Sequence, residues 1–300
     1  MKLYSTTITP ISSFITTLKG DTLFGQLCWA IRYTFGNNRL ETLLKNYETN
    51  PFLVVSDGFA SRYLPKPTMP SNLLGEDSDL KKINRTKVWL TLDDLQNGKY
   101  KQAKTNKETN SIKKSEATIK NSINYKTFTT DDSGTFSPYA IIEQSISDQD
   151  IYFLIDESQL SLNDFKSALT KLSHMGYGKK ASIGKGYFTF DDLKEVKLKK
   201  DKSTSFMTIS PVILKDTQIK ACYYEPFVRF GKHGAELANN QPFKKPILLA
   251  DSGAVIVYDE QKSIRYIGSS IKGHSNNTNT IHQGYAIVIP IKEVRHHERS

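Results

Sequence analysis

The residues of this 300-residue chain whose types and spacing best suit chemistry lie between positions 174 and 188. Glycines and lysines alternate there: Gly176, Gly178, Lys179, Lys180, Gly184, Lys185 and Gly186. Glycine permits positive φ and a close backbone approach to a ligand. Unshielded N–H groups and ammonium charges bind phosphate, and the aromatic side chains of Tyr177, Tyr187 and Phe188 could stack on bases. Residues 176–186, called the glycine loop below, therefore indicate binding of a phosphodiester strand rather than a plain turn.

Two nucleotide-binding patterns do not fit the glycine loop. The pattern G-x-x-x-x-G-K-[ST] fails because Gly178 and Gly184 are one residue too far apart and Gly186 occupies the hydroxyl position. The dinucleotide pattern G-x-G-x-x-G fails because Ala181 stands at the third glycine.

The elements that must position the glycine loop are a helix before it and a strand after it. Ser161 and Asp164 are typical of a capping box, and apolar residues follow at helical spacing: Leu162, Phe165, Leu169, Leu172 and Met175. Gly176 fits the stop of that helix, and residues 186–190 predict a strand. Nucleotide loops run in the opposite order, so that a helix N-terminus meets the phosphate. Lysines and loop amides would have to hold phosphates here, which favours a nucleic-acid strand over a bound nucleotide.

Composition agrees with a polyanionic partner. The chain has 41 Lys and Arg against 31 Asp and Glu, a formal charge of +10, which does not distinguish RNA from DNA or an acidic protein. Two distant cysteines, Cys28 and Cys222, argue against a disulfide framework and for a reducing compartment. Without a signal peptide or a long apolar segment, we expect a cytoplasmic protein with no membrane association. No cofactor is expected.

The predicted fold class is α+β, with two ferredoxin-like (RRM-like) domains and a long basic insertion in the first. Residues 1–202 predict a strand, a helix capped by Asp21 or Thr22 and stopped by Gly36, a strand, a strand, a helix and a strand, which is the split βαβ order. Strand-like patterns resume in residues 203–300, the second predicted domain. That domain has its own cluster of glycines and basic residues, at residues 228–234 and 242–246.

The basic insertion covers about residues 81–130. Residues 81–126 contain twelve Lys and Arg against four Asp and Glu, with few apolar residues after Leu95. This pattern is typical of a solvated, partly disordered segment. It is equally compatible with a basic arm that orders on a nucleic-acid or protein partner.

Three segments together resemble the RAMP superfamily of CRISPR proteins: residues 18–30, residues 55–67 and the glycine loop after its helix. Within it, the chain resembles the Csm-complex subunit that binds the 5′ tag of crRNA in type III-A effectors. The resemblance implies ferredoxin-like domains with an inserted hairpin, which the basic insertion would form between guide and target. It implies contacts with a large polymerase-like signalling subunit and with a backbone RAMP subunit, and generally no nuclease activity.

The residues expected to bind RNA are glycines, basic residues, or members of loops in or near the matching segments: Lys19, Gly20, Arg62, Tyr63, Lys66, Gly176, Gly178, Lys179, Lys180, Ser182, Gly184, Lys185 and Gly186. Simpler roles remain open for several of their neighbours. Gly20 could serve close packing, Asp21 could cap a helix, and Ser56 and Asp57 could form a turn. Arg62 and Tyr63 could present a guanidinium and a ring to unpaired bases.

No catalytic residue and no metal ligand is expected. The alternative function is a metal-independent crRNA-processing endoribonuclease on the same fold, for which His174 is the histidine beside the glycine loop. His233, His274 and His282 lie in Gly- or Asn-rich segments with no partner evident in the sequence. A weaker option is a scaffold whose glycine loop contacts a protein neighbour and not RNA.

Overall fold

Two antiparallel sheets from different halves of the chain share one apolar core in the computed structural model, which describes residues 1–111, 113–130, 134–199, 201–234 and 242–293. The helices are α1 (Gly20–Phe35), α2 (Asn37–Lys45), α3 (Lys81–Thr86), α4 (Leu92–Asn97) and α5 (Leu162–Met175). The strands are β1 (Lys2–Pro10), β2 (Leu53–Val55), β3 (Phe59–Ala60), β4 (Leu64–Pro65), β5 (Lys87–Leu90), β6 (Lys104–Thr105), β7 (Lys113–Lys120), β8 (Tyr139–Ile146), β9 (Gln149–Ile155), β10 (Phe188–Phe190), β11 (Lys194–Glu195), β12 (Ser203–Thr208), β13 (Ile219–Tyr223), β14 (Pro226–Arg229), β15 (Ile247–Ala250), β16 (Val255–Lys262), β17 (Tyr266–Gly268) and β18 (Tyr285–Pro290).

The first sheet has the order β10-β1-β9-β2, with β11 beside β1 and β3 beside β9. β1 and β9 pair from Lys2↔Ile155 to Ile8↔Gln149. The helices α1 and α5 contact each other, and α5 buries Phe165 against Phe153 with ring centroids 4.8 Å apart. Burying one such side chain contributes roughly 1.5–3 kcal/mol. The predicted order of strand, helix, strand, strand, helix and strand is present in this half.

The ends of α5 and α1 test the predicted caps. The Ser161 hydroxyl accepts from the Asp164 N–H, and Gly176 ends α5 with φ 83°, as predicted. Gly36 ends α1 with φ 91°, also as predicted. The prediction that Asp21 or Thr22 caps α1 is wrong, because α1 begins at Gly20 after an extended Lys19 without a side-chain cap. Asp21 lies inside the first turn, and its carboxylate has a partner from the other half of the chain, described below.

The second sheet has the order β13-β16-β12-β18-β17, and a separate ladder joins β14 to β15. The change from one sheet to the other falls between β11 and β12. No helix is described in residues 201–234 or 242–293, so a second ferredoxin-like domain and the boundary at residue 202 stay predictions. The fold shown is mixed α/β with more strand than helix. None of the described helices has the length and apolar character needed to cross a bilayer.

The two halves are joined through buried polar and aromatic contacts. The buried Gln283 amide accepts from the Val55 N–H at 2.9 Å and donates to the Val55 carbonyl at 2.8 Å. Tyr47 and Tyr285 pack edge to face with ring centroids 5.6 Å apart. The Gln283 amide thus bonds both backbone polar groups of Val55, the last residue of β2, which the second half covers.

The basic insertion contains packed structure and the first strand of a hairpin. Its first part includes α3, β5, α4 and β6 and buries Leu90, Leu95 and Tyr100. β7 then pairs with β8 from Lys113↔Ile146 to Lys120↔Tyr139, and most of the hairpin residues are exposed. The partner of this hairpin, and its order in solution, stay open predictions.

Candidate nucleic-acid interface

The glycine loop closes on itself through backbone contacts that exclude side chains. The Tyr177 N–H donates to the Gly186 carbonyl at 2.8 Å. Gly186 has φ 74°, and a Cβ there would lie 2.0 Å from the backbone carbonyl oxygen of Tyr177. Gly178 has φ 85°, and a Cβ there would lie 2.5 Å from Thr16 Cβ. Both positions therefore require glycine.

Tyr177 anchors the glycine loop to the segment before α1. Its side chain is fully buried, and its hydroxyl donates to the Thr17 carbonyl at 2.8 Å. Burial raises the pKa of the Tyr177 hydroxyl, which keeps it a donor. Phe188 is buried as well. The prediction that Tyr177 and Phe188 stack on bases is therefore wrong, since both rings belong to the core.

The outer arc of the glycine loop presents unpaired N–H groups. Lys180 adopts the left-handed conformation with φ 62°, and a 3₁₀ turn, Ala181–Ile183, follows. The N–H groups of Lys180, Ala181 and Ser182 have no acceptor among the described residues. A left-handed residue followed by right-handed ones turns successive N–H groups toward one concavity, which binds anions. Lys179, Lys180, Ser182 and Gly184 are exposed around this arc.

Lys185 points away from that arc and into an ion pair. Its ammonium lies 2.5 Å from Glu143 Oε2 on β8 and 3.0 Å from the Ser13 hydroxyl. The bonds from Lys185 and then Ser13 lower the pKa of the Glu143 carboxyl. Phe14 and Gln144 exchange backbone hydrogen bonds beside this pair, at 2.8 and 2.7 Å. Phosphate binding by Lys185 stays a prediction, whereas its contact with the hairpin is structural.

Lys19 and Gly20 have structural partners as well. The Lys19 ammonium lies 2.9 Å from Asp57 Oδ2 and 2.5 Å from Asp251 Oδ1. Burial opposes the charge of Lys19, but Asp57 and Asp251 outweigh it and raise its pKa. The Gly20 N–H donates to Asp57 Oδ1 at 2.7 Å, and a Cβ on Gly20 would lie 2.3 Å from the Val55 oxygen. Asp57 therefore holds the start of α1 and is no free ligand.

Ser56, beside Asp57, is also fully engaged. Its hydroxyl donates to the Asp57 carbonyl at 2.6 Å and accepts from the Tyr152 N–H at 2.8 Å. Ser56 and Asp57 thus serve the junction of β2 with α1, which leaves neither available to RNA in this conformation.

Arg62, Tyr63 and Lys66 lie outside the groove described next. Arg62 has φ 72° and an exposed side chain, and its N–H donates to Asp150 Oδ2 at 2.6 Å. The Lys104 ammonium lies 5.4 Å from the centroid of the half-buried Tyr63 ring. The Lys66 ammonium lies 2.8 Å from Glu76 Oε1, with both side chains largely buried. Of these three, Arg62 has the side chain most accessible to a ligand.

A basic groove of about 1740 Å³ runs from the edge of the glycine loop, at Gly178 and Lys179, between α1 and the second half of the chain. Its lining includes two acidic residues, Asp21 and Glu41, and many basic ones: Lys19, Arg32, Lys45, Lys179, Arg229, Lys232, Lys244, Lys245 and Lys272. A groove of one sign concentrates polyanions. The groove thus connects the glycine loop to the cluster of glycines and basic residues at 228–234 and 242–246, a connection that sequence spacing could not establish.

Aromatic rings stand along the basic groove. Phe230 and Phe243 are 76% and 70% exposed. The Lys232 ammonium lies 4.2 Å from the Phe243 centroid, and the Arg32 guanidinium lies 5.0 Å from the half-buried Trp29 ring. Such rings, flanked by cations, suit stacking of unpaired bases. Trp29 was not among the residues predicted from the sequence, although it faces away from the apolar side of α1, which was a readable signal.

Three histidines that the sequence left without partners lie together in the basic groove. The rings of His274 and His282 are 5.7 Å apart, and His282 Nε2 lies 3.4 Å from Asp21 Oδ2. His233 Nε2 lies 2.6 Å from the Ser275 hydroxyl. His174 is exposed at the end of α5 and does not line the groove. Within the described residues, no three His, Cys, Asp or Glu side chains are placed to hold a metal ion.

Comparison with known proteins is consistent with this geometry. The model of the RAMP superfamily matches residues 15–189. A chain in the crystal structure of the Csm1-Csm4 cassette in complex with AMPPNP aligns with a TM-score of 0.63 and 14% identity, covering 97% of this chain and 98% of that one. A chain in the Csm3-Csm4 subcomplex of the type III-A CRISPR-Cas interference complex aligns with a TM-score of 0.61 and 15% identity, covering 98% and 100%.

No curated protein matches this chain significantly. At such low identities, the two structural alignments establish a common fold. The family match spans more than half of the chain and includes the helix opening, the Pro-rich loop and the glycine loop on which the sequence resemblance depended. The chain therefore belongs to the RAMP superfamily.

Proposed function

We propose that this chain is a non-catalytic, RNA-binding subunit of a type III-A CRISPR effector and caps the 5′ repeat-derived tag of crRNA. Both crystal structures named above include Csm4, and in each this chain spans nearly all of the matched chain. In the proposed complex, which is cytoplasmic, a large Csm1-type signalling subunit and a Csm3-type backbone subunit are its neighbours. The two predicted halves, residues 1–202 and 203–300, would both be ferredoxin-like domains.

The observation that carries the RNA-binding proposal is the arc of free N–H groups at Lys180, Ala181 and Ser182, next to the basic groove. Backbone N–H groups bind a phosphate of the RNA backbone without distinguishing which base the nucleotide carries. Lys179 and Lys180, both exposed, add charge beside the same arc. A strand held there would continue into the groove, where further cations follow.

Single-stranded RNA fits this arrangement better than a duplex. Exposed rings at Phe230 and Phe243 offer stacking surfaces that only unpaired bases can reach. Bases splayed onto such rings expose their edges to nearby hydrogen-bonding groups, from which discrimination of the tag would follow. Arg62 would contribute from the end of the first sheet at which the glycine loop lies, because its N–H donates to Asp150 at the start of β9.

We assign the predicted RNA-binding residues to two groups. Direct contacts are proposed for the exposed Arg62, Lys179, Lys180, Ser182 and Gly184 and for the half-buried ring of Tyr63. A supporting role is proposed for residues whose charge or backbone is already engaged, as their contacts above describe: Lys19, Gly20, Lys66, Lys185, Gly176, Gly178 and Gly186. The β7–β8 hairpin, which Lys185 contacts, would be the element between guide and target.

The alternative function is a metal-independent crRNA-processing endoribonuclease. The gathering of His233, His274 and His282 in the groove favours it more than His174 does, since histidines can move protons during RNA cleavage. Against it, burial and the nearby Lys244 lower the pKa values of His274 and His282 to about 4, which makes them weak bases near neutral pH.

The test is fluorescence anisotropy of the full chain with a crRNA carrying its 5′ tag and with a scrambled-tag control, in a salt titration, followed by a denaturing gel. Tighter binding of the intact tag, with RNA uncut, is expected. Equal and steeply salt-dependent binding of both RNAs would mean a basic surface without tag recognition. Cleavage that persists with a chelator and stops in His282→Asn would establish the nuclease, and absence of RNA binding would favour a scaffold.

A further inference from the structure

Lys244 is a half-buried cation of the basic groove without a carboxylate partner among the described residues. Its N–H donates to the Gly231 carbonyl at 2.9 Å, and its side chain lies across Gly231, where a Cβ would be 3.2 Å from Lys244 Cδ. The neighbouring carboxylate, Asp21, is already used by Arg229 through two hydrogen bonds of 2.5 and 2.6 Å. Among the described residues, no carboxylate therefore remains to compensate the charge of Lys244.

Two of the histidines beside Lys244 also have ring nitrogens without a hydrogen-bond partner among the described residues. His274 is 4% exposed, and neither of its ring nitrogens has a partner among the described residues. His282 is 9% exposed, and its Nε2 makes no hydrogen bond to any residue that the structure describes. Buried polar groups without partners are uncommon because each costs free energy. Three nearby histidines and an unpaired lysine together form a site that an anion would complete.

The net charge around Lys244 and the three histidines favours the binding of one phosphate group. Asp21 and Arg229 neutralise each other, and Lys244 leaves one positive charge while the histidines are neutral. Cys28 stays an uncharged thiol, because burial raises its pKa to about 12. A phosphodiester group carries one negative charge and would neutralise Lys244. Among the described residues that face the cluster, no further carboxylate opposes its binding.

We infer that Lys244, His233, His274 and His282 form a phosphate-binding subsite across the groove from the glycine loop, whose affinity for an RNA strand increases as the pH falls. This inference deepens the proposed function and rests on it for the identity of the strand. It goes beyond that function because it assigns a separate subsite and a proton-linked control of binding.

The direction of the pH dependence follows from the groups that face the histidines. Burial, then Lys244, His282 and His233, lower the pKa of His274 to about 4. Burial also lowers the pKa of His282 to about 4; Asp21 opposes this shift, whereas Lys244 and Arg229 add to it. A bound phosphate adds negative charge and raises both values, so that binding takes up protons. Affinity must then increase as the pH falls toward about 4, the pKa of these two histidines without a bound phosphate.

The test is anisotropy of the full chain with a fluorescein-labelled oligouridylate of roughly ten nucleotides, at constant ionic strength, between about pH 5 and about pH 8. We expect about tenfold tighter binding at the lower pH, the factor that one histidine gives at about pH 5 when phosphate raises its pKa from about 4 by roughly two pH units. His274→Asn with His282→Asn should abolish this gain. His174→Asn, which removes an exposed histidine outside the groove, should keep the full gain.

Further variants separate this subsite from the glycine loop. Lys244→Met should weaken binding at every pH and reduce the salt slope by roughly 0.7, the value for one phosphate contact on a single strand. Lys179→Ala with Lys180→Ala should weaken binding but leave its pH dependence intact. A gain at low pH that survives in the double histidine variant would overturn the subsite and leave RNA binding by the glycine loop standing.

A measurement on the unaltered chain covers the case in which variants misfold or RNA does not bind. Titration of the histidine rings by NMR, with and without inorganic phosphate, should show a higher pKa for His274 and His282 when phosphate is present. Unchanged values would overturn the subsite even if RNA binds. Raised values in a chain that binds no RNA would support the subsite and contradict the proposed function.

Discussion

Asp21 and Arg229, which lie 208 residues apart, form a two-bond ion pair that joins the first turn of α1 to β14. Arg229 Nε lies 2.5 Å from Oδ2 and its Nη2 lies 2.6 Å from Oδ1, and the Asp21 side chain is fully buried. The pair also forms part of the groove lining, beside the histidine cluster. It thereby fixes both walls of the basic groove relative to each other.

Replacing Arg229 by methionine should leave the Asp21 carboxylate buried without a counter-charge. Removal of one partner of a buried pair costs about 3–5 kcal/mol, so the free energy of unfolding in urea should fall by that amount. The control is Lys272→Met, because Lys272 and Glu48 form an exposed pair for which a loss of about 0–1 kcal/mol is expected. Equal losses in the two variants would show that the buried pair does not hold the halves together.

Gly186 and Gly184 provide a matched comparison within the glycine loop. Both have positive φ, but a Cβ on Gly186 would lie 2.0 Å from the Tyr177 oxygen, whereas a Cβ on Gly184 would meet nothing within 4 Å. Gly184→Ala should cost about 1 kcal/mol, from backbone strain alone. Gly186→Ala should cost several times more and weaken RNA binding through loss of loop geometry. Thermal unfolding and anisotropy measure both effects, and similar unfolding midpoints would contradict the steric argument.

Lys179 and Lys180 should each contribute a phosphate contact. In Lys179→Ala with Lys180→Ala, the slope of log affinity against log salt should fall by roughly 1.4, at about 0.7 per contact on a single strand. Lys171→Ala is the control, since Lys171 is an exposed lysine of α5 outside the loop. If the folded double variant keeps the slope of the control, the arc does not bind phosphate.

The contact between Lys185 and Glu143 should hold the hairpin to the glycine loop. Glu143→Gln mimics the protonated carboxyl, and it should speed proteolytic cleavage between β7 and β8 without changing the unfolding midpoint of the core. Because the pKa of Glu143 is lowered in the folded protein, the same release is expected in the unaltered chain as acid protonates this carboxyl. Asp192→Asn, which breaks the exposed pair with Lys166, should leave cleavage of the hairpin unchanged.

Acid should destabilise the fold through the buried histidines even without a ligand. Burial lowers the pKa of His274 and of His282 from the ordinary value near 6.5 to about 4. Between these pH values the unfolded chain binds more protons than the folded one, so stability decreases as the pH falls through this interval. In His282→Asn the decrease should be smaller, as measured by urea unfolding at a series of pH values. An unchanged pH profile would mean that His282 is already protonated in the folded chain.

Local chemistry in the sequence determined the elements around the glycine loop. Ser161 caps α5, Gly176 ends it and residues 188–190 continue as β10, because capping and helix termination involve groups within a few residues of each other. The glycines of the loop likewise need positive φ for local steric reasons. Membership of the RAMP superfamily could be anticipated from three short segments for the same reason, since each carries its pattern in consecutive residues.

Only the tertiary structure decided which charged and aromatic groups remain available. Asp21 fits a helix cap by its position, yet its partner is Arg229; Lys185 fits a phosphate ligand, yet it binds Glu143. Tyr177 fits a stacking ring but lies in the core. Trp29 and the histidines meet in one groove through the packing of the two sheets. An ion pair or a groove depends on distances between residues far apart in the chain, and the pattern of neighbouring residues carries no information about those distances.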